Sequence, residues 1–545
     1  MKVSGLGSLS LAALLLLSGC GGGSSSSGGS GVSDPLFVDQ WHLDNTGQFS
    51  GTTVGEDINV AGAWAEDIKG RGVLVAVVDD GLQLAHEDLS ANIAAKKSWD
   101  YDQQDTDPSP QSRNYHGTGV AGLIAARDEN GVGLRGVAPR ASLAGYNLLW
   151  QEGTVLTSQI FDAMTRNVVE VAVSNNSWGL ATDGLGEAEP PVDGLWQQAV
   201  AQGVDQGRGG RGTIYVWAAG NGAGGGGQDN SNYDYQANNR HVITVCALDG
   251  RGRRASYSEP GANLWVCAPG GDNLTVSGRA YSLGLVTTDL MGAAGCNGNP
   301  DCQVAGDYVD QSYTRAFLGS SAATPLVSGV VALMLEANPA LGWRDVRLIL
   351  AETARRNHPA HGDWALTSPA VGQPQYHINH DYGFGVVDAA AAVARAKTWV
   401  NVGPQRVIEK TVNTLRNIPD GDLRGVTEAL TLDAVADGDL IIEYVEVDFT
   451  SNHFYPGDLE IVLTAPSGTR SVLAETHSCL IDVNGSYQTR FGTCLYRYDP
   501  WTFGSSRHLG ERSSGTWQLT VADKDNPDVT GQLLSWTLRI YGRES

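Results

Sequence analysis

Apolar and polar positions divide the chain near residue 398. Before that point, short unbroken apolar runs alternate with stretches of helical periodicity. Gly72–Val78 (GVLVAVV) ends at Asp79, and Thr213–Ala219 (TIYVWAA) ends at Gly220-Asn221-Gly222. Runs of this length without alternation predict strands buried on both faces, as in a parallel sheet covered by helices. Gly117–Ala126 and Ser321–Asn338 predict apolar helices, one starting just after His116 and the other at the serine. Past Ala396 the helical periodicity stops. LIIEYVEVDF, DLEIVLTAP, GTWQLTVAD and LLSWTLRIY alternate with a period of two between turn residues, which predicts a β-sandwich or jelly roll. The expected architecture is an α/β domain over 34–398 with a parallel sheet flanked by helices, then an all-β jelly roll over 399–545. The linker falls near Thr398–Pro404.

Composition changes this picture little, and charge changes it more. The 545 residues carry a net charge of −24, which argues against nucleic acid as a partner. The first residues have a positive start at Lys2 and an apolar run, Leu9–Leu17, too short to span a bilayer. Leu17-Ser18-Gly19-Cys20 resembles the bacterial lipobox, so residues 1–19 are expected to be a signal peptide and Cys20 a lipidated first residue. Residues 20–33 are a Gly/Ser tether. The implied location is exported and membrane-anchored, at the outer membrane or cell surface. The remaining six cysteines are an even number in an exported chain. Their proximity suggests Cys246–Cys267, Cys296–Cys302 and Cys479–Cys494, one of many connectivities that six cysteines allow.

Three motifs carry the chemistry: VAVVDDG ending in Asp79-Asp80-Gly81, NYHGTGVAG around His116, and FLGSSAATPLVSG around Ser321. A serine needs a neighbouring base to become a nucleophile, and the base needs an acid to fix its tautomer. The chain order Asp, His, Ser is the subtilisin order. These motifs resemble those of subtilisin-like serine peptidases, and Asp79-Asp80-Gly81 resembles the kexin/furin branch, the proprotein convertases. Gly457-Asp458-Leu459 and Gly515-Thr516-Trp517 are similar to the convertase P domain. Serine at 320 stands where the family usually has threonine.

The resemblance implies a calcium-dependent serine endopeptidase acting on polypeptides. Ser321 would be the nucleophile, His116 the base and Asp79 its orienter. Asn221 would stabilise the oxyanion, and Ser177, Trp178 and Gly179 would pair with an extended substrate. It also implies Ca²⁺ at two sites. One is made by Asp34, Asp88 and Asn130 with the carbonyls of Arg127, Val132 and Leu134, the other by Asp100, Asp105 and Asp107. A third would use Asp229 and Glu259, with Thr182 replacing its remaining aspartate and Asp183 one residue late. Asp234 would receive a basic residue before the scissile bond and Asp80 the residue next out. Thr182, Arg113, Phe161 and Ala188 stand where further acidic subsite residues are expected, which thins the preference for basic sequences. The tether leaves no room for a folded prodomain, so a separate chaperone is one expectation and unaided folding the other. Two other readings are a broad degradative protease and a catalytically inactive binding lipoprotein. The second conflicts with the retention of Asp79, His116, Asn221 and Ser321.

Overall fold

A computed structural model describes residues 33–544, apart from 111–112, 150–154, 180–185, 189, 192, 225–228, 277–278, 301, 484–485, 492–493, 495 and 525–528. Side chains of 276, 279–280, 479–483 and 486–491 are also outside the description. Cys20, Thr182 and Asp183 therefore lie outside the described residues.

Seven strands form one sheet: β1 (Leu74–Asp79), β2 (Trp99–Asp100), β3 (Ser142–Asn147), β4 (Val171–Asn176), β5 (Ile214–Ala218), β6 (Val242–Leu248) and β7 (Val266–Pro269). Their order is β2-β3-β1-β4-β5-β6-β7, and every pairing is parallel. β4, β5, β6 and β7 are buried at every position, as expected for strands covered on both faces. The helices are α1 (Ala61–Ala65), α2 (His116–Ala125), α3 (Thr157–Thr165), α4 (Leu195–Gly210), α5 (Ser320–Ala337), α6 (Trp343–Thr353) and α7 (Ala389–Lys397). β1 lies between β3 and β4, so consecutive strands are placed on opposite sides of it. That reversal opens a crevice at the carboxyl ends of the strands, where Asp79 ends β1.

α5 is long and apolar enough to cross a membrane, but it is 83% buried and forms the centre of the core. It packs with α2, α7 and the sheet strands through residues such as Leu326, Val330 and Leu333. Pro325 sits inside it. A proline has no N–H for the carbonyl four residues earlier, which here belongs to Ser321.

From Arg406 onward two four-stranded antiparallel sheets share one core. The first runs Arg406–Ile418, Gly531–Glu544, Leu440–Ser451, Trp501–Ser505, and the second Val426–Leu432, Gly515–Asp523, Leu459–Thr464, Arg470–Ala474. Trp517, Trp536, Phe449 and Leu463 fill the space between them. The alternating pattern thus resolves as two antiparallel sheets, and α7 ends at Lys397, before the first of their strands begins at Arg406.

The sandwich is sewn to the first domain along residues 230–238. Gly504 N–H donates to Asn232 Oδ1 (2.8 Å), Asn232 Nδ2 donates to the Gly504 carbonyl (3.1 Å), and Trp501 Nε1 donates to the Asn232 carbonyl (3.0 Å). Asn238 Nδ2 donates to the Thr502 carbonyl (2.8 Å), and Tyr233 stacks on His477 with ring centroids 4.5 Å apart. Two expected disulfides form, Cys246–Cys267 across β6 and β7 and Cys296–Cys302 in a loop. Cys494 is also disulfide-bonded, but the expected partner, Cys479, has a side chain outside the description.

Candidate active site

The strand and helix ends bring the acid and the base together. Asp79, 1% exposed, accepts a hydrogen bond through Oδ1 at 2.8 Å from His116 Nδ1. His116 opens α2, whose own N-cap residue, Tyr115, makes no side-chain cap. Asp80 caps the helix instead. Its Oδ1 accepts from Gly117 N–H at 2.8 Å and its Oδ2 from His116 N–H at 3.4 Å. A carboxylate here also suits the positive end of the helix dipole. Residue 117 must be glycine, since a Cβ would fall 2.1 Å from the Gly81 carbonyl oxygen. The Phe317 ring packs 5.3 Å from the imidazole.

Charge dominates this side. Burial opposes protonation of His116, but the carboxylate of Asp79, its hydrogen bond and the charge of Asp80 outweigh it and raise the imidazole to about 9. Burial and then the neighbouring Asp79 push Asp80 up to about 7. The arrangement stabilises an imidazolium, the state a base reaches after taking a proton.

Ser321 lies in the first turn of α5. Its hydroxyl donates to the Ser177 carbonyl at 3.0 Å, and the Ser177 hydroxyl donates to the Ser321 carbonyl at 3.1 Å. That carbonyl is the one Pro325 leaves without a helical donor, so the proline opens a place for Ser177. The chain continues inward: Asn175 Nδ2 donates to Ser177 Oγ (3.0 Å) and Ser328 Oγ donates to Asn175 Oδ1 (2.8 Å). Asn175 and Ser328 are fully buried. Ser177 therefore holds the Ser321 backbone, a role not read from the sequence. Trp178 is pinned by its Nε1 to the Val78 carbonyl (3.1 Å) and lies edge-on to Trp217. Gly179 follows it at partial exposure.

Asn221 stands in an exposed loop after β5. Its Oδ1 accepts from both Ser320 N–H (2.8 Å) and Ser320 Oγ (3.0 Å), which leaves the amide nitrogen as the side chain's donor. Serine at 320 thus keeps the hydroxyl that the position requires. Glu259 supports the same loop from below, accepting from Gly222 N–H at 2.8 Å. Gly220 has a φ of +107°, and a Cβ there would lie 2.2 Å from the Glu259 carboxylate. This support for the Asn221 loop was not foreseen for Glu259. Asp229 accepts from Asn230 N–H (2.9 Å) at the head of the following turn. Asp234 closes that turn, its Oδ1 accepting from Gln236 N–H (2.6 Å) and Ala237 N–H (3.2 Å).

The two main acidic clusters differ. Asp34 and Asp88 are buried, and residues 127–134 wrap around Asp88. Asp88 accepts from Asn130 Nδ2 (2.7 Å) and Leu134 N–H (2.9 Å), its carbonyl accepts from Arg127 N–H (2.8 Å), and Val132 N–H donates to Asn130 Oδ1 (3.0 Å). Arg135 pairs with Asp34 at 2.5 Å, but among the described residues no cation pairs with Asp88. Burial, with Asp34 adding to it, pushes Asp88 up to about 7. Two buried carboxylates, an amide and nearby carbonyls are a donor set that fits a hard oxygen-seeking cation. By contrast, Asp105 and Asp107 are exposed. Asp100 is buried, with Asp102 N–H (2.7 Å), Gln103 N–H (2.9 Å) and Asn147 Nδ2 (2.9 Å) on its oxygens. Among the described residues no group of three or more His, Cys, Asp or Glu side chains is gathered for a metal.

Residues 70–385 match the model of the subtilase family, and residues 442–540 match that of the proprotein convertase P-domain. The chain belongs to the subtilase family. Proprotein convertase subtilisin/kexin type 4 of Homo sapiens is 32% identical over 515 residues, covering 94% of this chain and 61% of that protein. Neuroendocrine convertase 2 of Bos taurus is 34% identical over 532 residues, covering 94% and 75%. The chain thus spans about three fifths of the length of the first convertases it matches. Among solved structures, the serine protease of Aeromonas sobria in complex with the chaperone (ORF2) matches this subtilase with a TM-score of 0.81 at 28% identity, covering 94% of this chain and 96% of that one. The same Aeromonas sobria protease in a second structure gives a TM-score of 0.79 at 28% identity, covering 96% and 99%.

Proposed function

We propose that the chain is a calcium-dependent serine endopeptidase that cleaves extended polypeptide segments after basic residues. The carrying observation is the 2.8 Å Asp79–His116 hydrogen bond, with Ser321 in the first turn of α5 as the nucleophile that the motif supplies. In the resting structure the Ser321 hydroxyl rests on the Ser177 carbonyl. A substrate carbonyl approaching Ser321 draws the hydroxyl toward His116, which takes its proton as the Oγ–carbon bond forms. Asp79 holds Nδ1 so that Nε2 is the accepting nitrogen, and it stabilises the resulting imidazolium. Asn221 Nδ2 and the Ser321 N–H then donate to the oxyanion. His116 returns the proton to the leaving amine, and water completes the turnover by the same route.

Asp234 supplies the negative charge expected of a primary pocket for Arg or Lys. Asp80 is occupied in capping α2, so it serves the adjacent subsite less than the family pattern implies. Ca²⁺ at Asp34, Asp88 and Asn130 would neutralise buried charge and fix the 127–134 loop. The site at Asp100, Asp105 and Asp107 and the one at Asp229 and Glu259 rest on the resemblance alone. The lipobox supports anchoring through Cys20, and the chaperone bound to the Aeromonas sobria protease supports a separate folding partner here.

A fluorophosphonate probe should label the wild type and leave Ser321→Ala unlabelled. In a peptide library, Asp234→Asn should depress cleavage after Arg, since unpairing a desolvated charge costs about 3–5 kcal/mol. Equal cleavage after Leu and Arg, unchanged by Asp234→Asn, would support the broad degradative reading. For the ion and the lipid, chelation should lower Tm and Asp88→Asn should weaken calcium binding. Mass spectrometry should find a lipidated Cys20 at the mature N-terminus. Unchanged melting or an unmodified terminus would remove the respective claim.

A further inference from the structure

The seam between the domains contains a buried cation that makes no ion pair among the described residues. Arg347, on α6, is 5% exposed. Its guanidinium lies 3.9 Å from the Trp265 ring centroid and 5.1 Å from that of Tyr444. Ring faces stabilise a guanidinium from above and below, but its N–H groups point outward in the plane and need acceptors. Arg347 Nε is buried without a hydrogen-bond partner, and among the described residues no carboxylate pairs with the side chain. The nearby Glu443 is already claimed. It accepts from Arg344 Nε and Nη2, both at 2.6 Å, and from Arg543 Nη1 at 3.0 Å.

A second guanidinium shares the cavity. Arg240 donates to Gln405 Oε1 (3.0 Å) and lies 4.2 Å over Tyr541, again without an ion pair among the described residues. His241 beside it supplies no charge: burial, Arg240 and Arg347 hold it well below its ordinary value. The cavity lined by Arg240, Trp265, Trp343, Arg347, Tyr444 and Tyr541 has room for the centre of one water-sized body, about 10 Å³. Water there would accept hydrogen bonds but leave the buried Arg347, and the partly buried Arg240 beside it, without an ion pair, since Glu443 and Glu446 are taken up by Arg344, Arg543, Tyr541 and Arg539. A monovalent anion of the same size accepts those bonds and supplies the pairing charge.

We infer that a water-sized monovalent anion, chloride under ordinary salt conditions, binds in the seam between Arg347 and Arg240. It ties α6 to the sandwich strands Leu440–Ser451 and Gly531–Glu544, and it is independent of the catalytic reading.

Two measurements on the full chain test it. Crystals grown in bromide should show an anomalous peak within hydrogen-bond reach of Arg347 Nε. In thermal unfolding, Tm should be higher in chloride than in gluconate at matched ionic strength, by about 2–4 °C. Arg347→Met should abolish that difference, and Arg240→Gln should reduce it; the second variant serves if the first fails to fold. Absence of the bromide peak overturns the site. So does equal melting in the two salts, or a chloride dependence that persists undiminished in the variants.

Discussion

On one side of the cleft, Asp79, Asp80 and His116 are held in place by charge. On the other, Ser321 and Asn221 are held by neutral hydrogen bonds from Ser177, Asn175, Ser328 and Ser320. The charged side moves protons, so its strength depends on pH and on each neighbouring carboxylate. The neutral side fixes positions, and apart from the Glu259 carboxylate beneath the Asn221 loop its groups do not titrate in the working range. On the proposed function the work is divided accordingly, with proton affinity set on β1 and α2 and geometry set on α5.

Substitutions on the neutral side should change turnover without moving the pH profile. The largest such effect is expected for Asn221→Ala, which removes the proposed oxyanion donor and should lower kcat about 100- to 1,000-fold with KM little changed. A rise in KM at unchanged kcat would instead make Asn221 a ground-state contact.

The next largest effect tests the charged side. His116 must be neutral to act as a base, and its value is raised above the ordinary 6.5 to about 9, so kcat/KM should fall as pH drops below that value. Asp80, pushed up to about 7, should spread the acid limb over a second ionisation. Asp80→Asn should leave one step and shift it to lower pH, because a charge that favours the imidazolium is gone. An unmoved limb would mean that Asp80 acts on helix geometry alone.

The smallest effect sharpens the contrast most. Ser328→Ala deletes a buried hydroxyl far from any reacting atom and should lower kcat about 2- to 12-fold, the range for one hydrogen bond, at an unchanged pH profile. A shifted profile would show that the neutral chain also tunes the base, and the division would fail.

The strands and catalytic helices were legible because burial on both faces leaves a plain mark, an apolar run ending in a polar residue. Asp79, His116, Asn221 and Ser321 could be proposed from the sequence because each stands at the end of an apolar run or the start of an apolar helix, within two residues of glycine. The chain from Ser177 to Ser328 could not. Its contacts span 144 and 153 residues, and a serine within an apolar helix gives no sign of its partner. Glu259 was legible as an acid but not as the support of Gly222. The acidic loops look alike as spacing; burial separates them, and burial depends on what packs above each loop. Arg347 is silent for the same reason, since nothing near it in sequence indicates that aromatic rings and Glu443 surround it without pairing.

The stitching of the sandwich onto residues 230–238 has a consequence for how such a chain can change over time. The turn presenting Asp234 has the side chains and carbonyls of Asn232 and Asn238 answered by Trp501, Thr502 and Gly504, so the pocket proposed there is partly owned by the other module. The two halves are not interchangeable parts. A transplanted sandwich with a slightly different edge would leave Asn232 and Asn238 without their buried partners. The first symptom would be a changed taste in peptides, ahead of any loss of the fold. Drift on the sandwich edge and drift in the pocket are thereby bound to one another, although no residue of the sandwich need touch a substrate.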